Sequence, residues 1–214
     1  MILYATPLSS FSLKVRIALA CKGIAVELRA PPDGYRSAAY RVLVPQATVP
    51  ALVDGDFVLS ESDAIIEYLD ECQPARPLLP GDARMRAQAR MLSRLHDFRV
   101  EPPIRALFRE VAPTTRDVAA VGQRLAAYAE ALALIGEVAR PGPFLCGQAL
   151  TLADCGFPAT FILARRLGLV FGGAPAEPDW FGAWDAALRS SPPLQALLQD
   201  YEAAIAGWIE SRLQ

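Results

Sequence analysis

A hydroxyl-rich turn near the start of the chain is the first place where the sequence suggests chemistry. The stretch from Thr6 to Ser12 follows a strand-like run and leads into a segment with helical spacing. A helix N-terminus has free N–H groups and the positive end of the helix dipole, which stabilise an anion such as a thiolate. A hydroxyl of Ser9 or Ser10 can donate a hydrogen bond to the same anion. Taken alone, however, the turn favours a simpler role in which a serine caps the helix.

Two further stretches have residue types that can bind a small peptide-like molecule. Val49-Pro50 precedes a hairpin pattern, and a cis bond there would leave the backbone N–H and C=O of Val49 free to pair with an extended peptide. An ordinary strand-entry proline explains the same pair equally well. Ser62 begins a helical pattern, where its hydroxyl and the first N–H groups can receive a carboxylate while Glu61 pairs with an ammonium. Helix capping alone also explains Ser62.

The remaining polar motifs favour folding over catalysis. The segment Thr151 to Asp154 has the Ser/Thr-x-x-acid form in which each side chain caps the other's backbone N–H. The single histidine, His96, argues against an imidazole-based triad or a multi-histidine metal site, and favours a packing or helix-surface role. The four cysteines are scattered and are best explained as small buried hydrophobes, so we expect no metal site: Cys21, Cys72, Cys146 and Cys155.

The elements that must position these stretches differ between the two halves of the chain. Up to about Cys72, short strands alternate with helices in the order β-α-β-α-β-β-α, which is that of a thioredoxin-like α/β fold. The predicted strands cover 2–5, 26–28, 51–53 and 57–59, and the predicted helices cover 12–21, 38–42 and 62–69. Asp54-Gly55-Asp56 predicts a tight turn between the last two strands.

The second half of the chain is predicted to be entirely helical. Residues 73–82 contain three prolines, which exclude a helix and indicate a linker. Helices are predicted over 83 to about 111 with a break at Pro102-Pro103, then over 117–139, 152–167, 180–189 and 194–209. The expected organisation is therefore a thioredoxin-like domain at 1–73, a linker at 74–82 and an all-α helical bundle at 83–214.

Composition narrows the partners and the location of the protein. A net charge of -2 and a pI near 5.5 provide no basic excess for binding nucleic acid or an anionic membrane surface. Although 53% of the residues are hydrophobic, apolar runs such as 157–164 are short, so no membrane span is expected. Met1 to Tyr4 begins directly as a strand without a secretory leader, which predicts a cytoplasmic protein.

These stretches together resemble the cytosolic glutathione transferase family over essentially the whole chain. Four signatures occur in the family's order and spacing: the serine turn before Val15 to Leu19, Val49-Pro50, the segment Glu61 to Ile65, and Gly142 to Gly147 followed by the capping box. The segment Ser9-Ser10-Phe11 is similar to the serine-type classes, sharing features with the zeta and tau classes. The resemblance implies a thioredoxin-like domain followed by a helical bundle.

The resemblance also implies roles for individual residues. Ser9 takes the place of the family's catalytic serine, whose hydroxyl holds the glutathione sulfur as a thiolate, and Ser10 is the fallback donor. Val49 with Pro50 would pair with the cysteinyl part of glutathione. Glu61 with Ser62 would hold the γ-glutamyl end.

Other positions depart from the family pattern or are assigned less directly. Arg36, in the loop from Pro31 to Ala39, is the candidate for the glycyl carboxylate of glutathione. The segment Val44 to Ala47 stands where the family often has Asn-Pro-x-Gly, which puts the shape of this loop in doubt. Phe11 stands where the zeta class has cysteine, which argues against isomerase chemistry of that class. Classes that use a protein thiol are disfavoured because positions 9–11 contain no cysteine.

The resemblance therefore implies an enzyme that transfers glutathione, as co-substrate, to a hydrophobic electrophile or reduces a hydroperoxide without a metal. The electrophile is expected between the domains, against Leu8, Phe11 and the helix that begins near Ala83. A homodimer is also implied. Two alternatives stay open: a non-catalytic binding or regulatory module on the same fold, and a glutathione-dependent isomerase or dehalogenase.

Overall fold

A four-stranded mixed sheet covered by helices forms the N-terminal part of the protein in a computed structural model, which describes residues 1–214. The sheet order is β2-β1-β3-β4, with β1 parallel to β2 and antiparallel to β3. The strands are β1 (Ile2–Tyr4), β2 (Glu27–Arg29), β3 (Ala51–Asp54) and β4 (Phe57–Ser60). The helices are α1 (Ser10–Lys22), α2 (Ala38–Leu43) and α3 (Ser62–Cys72). The predicted thioredoxin-like order of elements is confirmed.

Local signals fix the ends of α1 and of the hairpin. Ser9 caps the N-terminus of α1, and Gly23 ends the helix in the left-handed conformation with φ 69°. Gly55 has φ 63° in the turn that joins β3 to β4, as a tight hairpin requires. The serine turn therefore lies between the end of β1 and the start of α1.

The C-terminal part is helical, with three non-α segments in its first half. Its α-helices are α4 (Ala83–Leu95), α5 (Glu101–Ala106), α6 (Val118–Val138), α7 (Leu152–Val170), α8 (Phe181–Arg189) and α9 (Pro192–Leu213). A π-helical turn, His96–Val100, joins α4 to α5, and short 3₁₀ segments follow at Leu107–Glu110 and Pro113–Thr115. The break predicted at Pro102-Pro103 was placed too late, because these prolines stand in the first turn of α5, where a missing N–H costs nothing.

Helix α7 joins the two parts of the molecule through one continuous apolar core that includes residues of the sheet, α1 and the helical bundle. Its N-terminus has the predicted capping box between Thr151 and Asp154. The Asp154 carboxylate also accepts hydrogen bonds from the Leu145 N–H and from Nε1 of Trp184, both at 2.9 Å. Burial raises the pKa of Asp154 even though these donors oppose the shift. The capping box is thus a folding element, as predicted.

Helix α6 differs from the short apolar runs on which the expectation of no membrane span was based. Its 21 residues are long enough to cross a membrane, and its most apolar 18-residue stretch has a mean hydropathy of 1.3. Only 28% of that stretch is buried inside the protein. Its isolated charges, Arg124, Glu130 and Glu137, obscure the apolar character in the sequence. Core helices of soluble proteins meet the same criteria, so the helix is weak evidence for membrane insertion.

Candidate active site

Two adjoining cavities lie between the sheet and the helical part, and every glutathione-site candidate except Ser10 lines one of them. The smaller cavity has a volume of about 280 Å³ and is lined by Phe11, Thr48, Val49, Pro50, Glu61, Ser62, Asp97 and Phe98. The larger, of about 620 Å³, is lined by Thr6, Pro7, Leu8, Ser9, Phe11, Tyr35, Arg36, Thr48, Val49, Arg105, Phe108 and Trp208. Phe11, Thr48 and Val49 line both, so one elongated ligand can occupy the two cavities together.

Ser9 lies in the wall of the larger cavity at the N-terminus of α1. Its hydroxyl oxygen accepts a hydrogen bond of 3.1 Å from the backbone N–H of Ser12. Accepting this bond occupies a lone pair and leaves the hydroxyl proton free to be donated. The capping role and the donor role, which the sequence presents as alternatives, are therefore compatible in one side chain.

Ser10 has a different environment, and its geometry does not support the fallback role. The side chain is buried and lines neither cavity. Its hydroxyl donates to Oε1 of Glu101 at 2.6 Å and accepts from Nη2 of Arg105 at 2.7 Å. Because its proton is already bonded to a carboxylate, Ser10 instead connects α1 to α5.

Val49 presents free backbone groups to both cavities. The Val49-Pro50 bond is cis, as the functional interpretation of this pair requires. Neither the N–H nor the C=O of Val49 has a hydrogen-bond partner within the protein. The preceding carbonyl, that of Thr48, accepts a hydrogen bond of 3.0 Å from the buried Tyr40 hydroxyl, which fixes this segment against α2.

Glu61 and Ser62 line the smaller cavity at the start of α3. The helix-cap position belongs to Glu61, which has φ 71° and makes no side-chain capping bond, so Ser62 is not the cap. Ser62 is the first helical residue, and its backbone N–H is among those that the helix leaves free. The free N–H groups at the start of α3 thus stand beside the exposed side-chain carboxylate of Glu61.

Arg36 lines the larger cavity from the loop before α2. The loop is held by a hydrogen bond of 3.0 Å from the Arg36 N–H to the carbonyl of Ala47, and both residues have positive φ values, 70° and 52°. The guanidinium carbon lies over the ring of Tyr35, 5.4 Å from the ring centroid. The departure at Val44 to Ala47 therefore still leaves Arg36 at the cavity.

Sequence patterns did not identify Asp97, a carboxylate that the π-helical turn brings to the smaller cavity with Phe98. Asp97 pairs with the fully buried Lys14 of α1 at 2.7 Å, and Lys14 also pairs with Asp63 at 2.6 Å. Burial would raise the pKa of Asp97, but the hydrogen bond from His96 and the charge of Lys14 outweigh it and lower the pKa. Asp97 therefore stays ionised at neutral pH.

His96 has the packing role that was one of its two predicted roles. It is buried, and its Nε2 lies 2.8 Å from the hydroxyl of Thr160 on α7. The ring occupies the space beside Gly156, where an added Cβ would come within 2.5 Å of Nδ1. Glycine at this position lets the π-helical turn approach α7, and that approach fixes the position of Asp97.

The helical wall of the larger cavity comes partly from the region predicted as one helix from 83 to about 111, which contains Arg105 and Phe108, and partly from α9, which was not expected there. Arg105 lies on α5, Phe108 on the 3₁₀ segment after it and Trp208 on α9, whereas no residue of α4 lines this cavity. The rings of Phe108 and Trp208 are 4.5 Å apart. Trp208 could not be found by pattern, since nothing in its local sequence distinguishes it from the other apolar residues of a long helix.

None of the protein's cysteines lines either cavity, and three of them have raised pKa values. Burial raises the pKa of Cys21 to about 11 and also raises the pKa values of Cys146 and Cys155. No group of three or more His, Cys, Asp or Glu side chains is arranged to hold a metal ion. A thiolate in this site would therefore have to come from a ligand.

Comparison with known proteins identifies the family. The domain family described as "Glutathione S-transferase, N-terminal domain" matches residues 3–77. A maleylpyruvate isomerase from a Ralstonia species is 34% identical over 200 residues, an alignment that covers 87% of this chain and 94% of that protein.

Two further comparisons show how far the similarity extends. A stringent starvation protein A homolog from Coxiella burnetii is 46% identical over 92 residues, and the aligned part spans only 44% of that relative's length. The solved structure of a maleylpyruvate isomerase, described as a bacterial zeta-class glutathione S-transferase, has a TM-score of 0.75 at 32% identity and covers 92% of this chain and 96% of that one. Fold, site geometry and similarity agree, and the chain belongs to the glutathione S-transferase family.

Proposed function

We propose that the protein is a glutathione transferase in which Ser9 stabilises the thiolate of bound glutathione for attack on an electrophile in the larger cavity. The observation that carries the proposal is the position of Ser9. Its oxygen is bound by the Ser12 N–H, its proton is free, and it lines a cavity shared with the unpartnered backbone of Val49. Glutathione is the co-substrate of this family, and no metal is invoked in the reaction.

The charges of the two cavities suit the charges of glutathione. Glu61 and Asp97 supply carboxylates for the ammonium of the γ-glutamyl end, while Ser62 and the N-terminus of α3 supply donors for its carboxylate. Pairing of the cysteinyl part with Val49 would place its sulfur near Ser9. Arg36 then receives the glycyl carboxylate at the other end of the larger cavity.

The energy required is small enough for these groups to supply. A thiol with pKa about 8.5 is ~3% ionised at pH 7, and lowering its pKa by about two units requires roughly 2.7 kcal/mol. A hydroxyl hydrogen bond to a charged group contributes about 1.5 to 3 kcal/mol, and the helix end adds about 0.3 to 1 kcal/mol. Ser9 and the N-terminus of α1 therefore suffice without a general base.

Replacement of Ser9 tests the proposal. Ser9→Ala should lower kcat for conjugation with a generic aryl halide by about ten- to a hundredfold, the value of one hydrogen bond to an anion. Because the bound thiol would ionise at higher pH, the midpoint of the pH–rate profile should also move upward. Stopped-flow kinetics across pH and binding of S-methylglutathione, which has no thiol, would separate catalysis from affinity.

Ser12→Ala is the matched control for this experiment. Ser12 lies in the same turn, and its buried hydroxyl has no hydrogen-bond partner. We expect its kinetics to stay within twofold of the unmodified protein. Full activity in Ser9→Ala, with an unchanged pH profile, would contradict the assignment of Ser9.

A glutathione-dependent isomerase is the second candidate function, because similarity to maleylpyruvate isomerases extends over most of the chain. Phe11, where the zeta class has cysteine, is the residue that disfavours it. Turnover of maleylpyruvate that requires glutathione would establish this activity. A protein that neither binds glutathione nor turns over either type of substrate would instead be a non-catalytic module.

Homodimerisation and a cytoplasmic location remain predictions. A groove of about 620 Å³ runs along the exposed side of α4 and contains Met91, Arg94 and Phe98, with Phe98 70% exposed. An exposed aromatic of this kind suits contact with a second copy of the chain. Because Phe98 also lines the smaller cavity, such contact would lie beside the proposed glutathione site.

A further inference from the structure

The two cavities have opposite charge although they share a wall. The smaller cavity contains two carboxylates, Glu61 and Asp97, and no basic side chain. The larger contains two guanidinium groups, Arg36 and Arg105, and no acidic side chain. The chain as a whole has a net charge of -2, so the positive wall is a local feature and not a consequence of composition.

Arg105 is held rigidly and still has donors to spare. Its Nε donates to Oε1 of the buried Glu101 at 2.8 Å, its Nη2 donates to the Ser10 hydroxyl at 2.7 Å, and its Nη1 approaches the Leu8 carbonyl at 3.4 Å. A guanidinium has five N–H donors, so each terminal nitrogen keeps one N–H unbound. The side chain is 35% exposed, and it lines the larger cavity.

The surroundings of Arg105 suit a flat ligand. Its guanidinium lies 4.6 Å from the centre of the Phe108 ring, and the Trp208 ring packs against Phe108 at 4.5 Å. Aromatic faces bind other rings, and a fixed guanidinium binds a carboxylate in its own plane. An aryl group and an attached carboxylate can therefore be recognised by neighbouring parts of one wall.

The other guanidinium is already assigned. In the proposed function, Arg36 receives the glycyl carboxylate of glutathione, which leaves Arg105 as the cation available to the second substrate. Glu101 offsets part of the positive charge of Arg105, but it lines neither cavity. An incoming anion would thus meet the guanidinium and not its carboxylate partner.

We propose that Arg105 is a specificity-determining residue that selects electrophiles carrying a carboxylate, in particular planar aromatic ones. This inference rests on the proposed transferase function and names the substrate class of the larger cavity. Arg105 also holds Leu8 and Ser10, the residues on either side of Ser9, so its replacement can disturb the serine turn as well. The test must separate selection of the anion from this positioning effect.

Two substrates with the same reacting carbon but different charge separate anion selection from the positioning effect. In 4-chloro-3-nitrobenzoate and its methyl ester, the glutathione thiolate attacks the chlorine-bearing ring carbon, a C–S bond forms, and the C–Cl bond breaks with chloride taking the electron pair. Only the carboxylate differs in charge. Any change in the Ser9 turn affects both substrates alike, so the ratio of their kcat/KM values reports on recognition of the anion.

Arg105→Met should lower kcat/KM for the benzoate about tenfold or more relative to the ester, in line with one charge-assisted hydrogen bond. Arg105→Lys keeps the positive charge but lacks the planar guanidinium. Its ratio of kcat/KM for the benzoate to kcat/KM for the ester should lie between those of Arg105→Met and the unmodified protein. Arg109→Met is the matched control, since Arg109 is exposed, lies one helical turn away and lines neither cavity. Its ratio should stay within twofold of that of the unmodified protein.

Each outcome of this experiment is informative. An equal fall for both compounds in Arg105→Met would overturn the selective role and leave Arg105 as a positioning residue for the serine turn. Turnover of the ester by the unmodified protein supports the proposed function regardless of that result. Absence of turnover with either compound would contradict the proposed function, and this inference with it.

Discussion

The two cavities differ in how far apart their lining residues lie in the sequence. The smaller one is lined largely by consecutive residues, 48–50 and 61–62, on either side of the β3–β4 hairpin, with only Phe11, Asp97 and Phe98 added from elsewhere. The larger combines the serine turn and the loop before α2 with α5, a 3₁₀ segment and α9. Most of the smaller cavity is thus formed by residues that are close in the sequence, whereas the larger cavity depends on long-range packing.

Replacement of Glu61, in the smaller cavity, tests whether the two cavities act separately. Glu61→Gln removes one of two carboxylates from the smaller cavity, and we expect KM for glutathione to rise about tenfold through loss of an ammonium pair. The KM for the electrophile and kcat at saturating glutathione should not change, which steady-state kinetics would show. Glu67→Gln, a change on the same helix that affects neither cavity, is the control. A similar rise in both KM values would mean that the cavities do not act separately.

Replacement of Asp97 tests whether the second carboxylate also supports the fold. Folding lowers the pKa of Asp97, so the ionised carboxylate stabilises the folded protein. This stabilisation is complete above the pKa that Asp97 has in the unfolded chain, and it is lost as the pH falls through the lower pKa of the folded protein. Asp97→Asn should reduce the free energy of unfolding at pH 7 by about 1 kcal/mol, because Lys14 keeps Asp63 as a partner. Below about pH 4 the difference from the unmodified protein should shrink.

Urea unfolding at pH 7 and pH 3 would measure this difference. Asp56→Asn, in the exposed β3–β4 turn, is the control and should be neutral at both pH values. A constant difference between Asp97→Asn and the unmodified protein across this range would show that ionisation of Asp97 does not contribute to stability.

The smallest expected effect concerns the aromatic wall of the larger cavity. Trp208→Ala should raise KM for an aryl electrophile about threefold, the value of one aromatic contact, while KM for glutathione stays unchanged. Iodomethane, which has no ring to stack, provides the chemical control and should be converted at the original efficiency. Equal losses for the aryl and the methyl substrate would indicate that Trp208 supports the fold of α9 and not the ligand.

Much of the fold and of the candidate site was predictable because the signals are local. Strand alternation, the turn at Gly55 and the capping box at Thr151 each depend on residues within a few positions, and the structure has all three. Ser9 and Glu61 also lie at element boundaries, which patterning locates well. Ser62 was predicted at a helix start and is the first residue of α3, and the alternative that it caps the helix is wrong because Glu61 occupies the cap position.

The position of Asp97 was missed for a physical reason. A π-helical turn has no sequence signature of its own, and the turn at His96–Val100 forms where the ring of His96 packs beside Gly156 of α7. Only that packing brings Asp97 to the smaller cavity. The expectation of no membrane span considered only unbroken apolar runs, so it overlooked that α6 has a mean hydropathy of 1.3 in spite of its scattered charges.

The sequence by itself determined the order of the elements, the serine turn at the start of α1, and the pairs that would bind the two ends of a small peptide. Tertiary structure alone decided that Ser10 bonds Glu101 while Ser9 keeps a free proton, and that Arg105 and Trp208 share a wall with it. The reason is distance along the chain. Side chains about a hundred or more positions apart meet only after helices have packed, and their contacts depend on rotations of whole helices that no local pattern records.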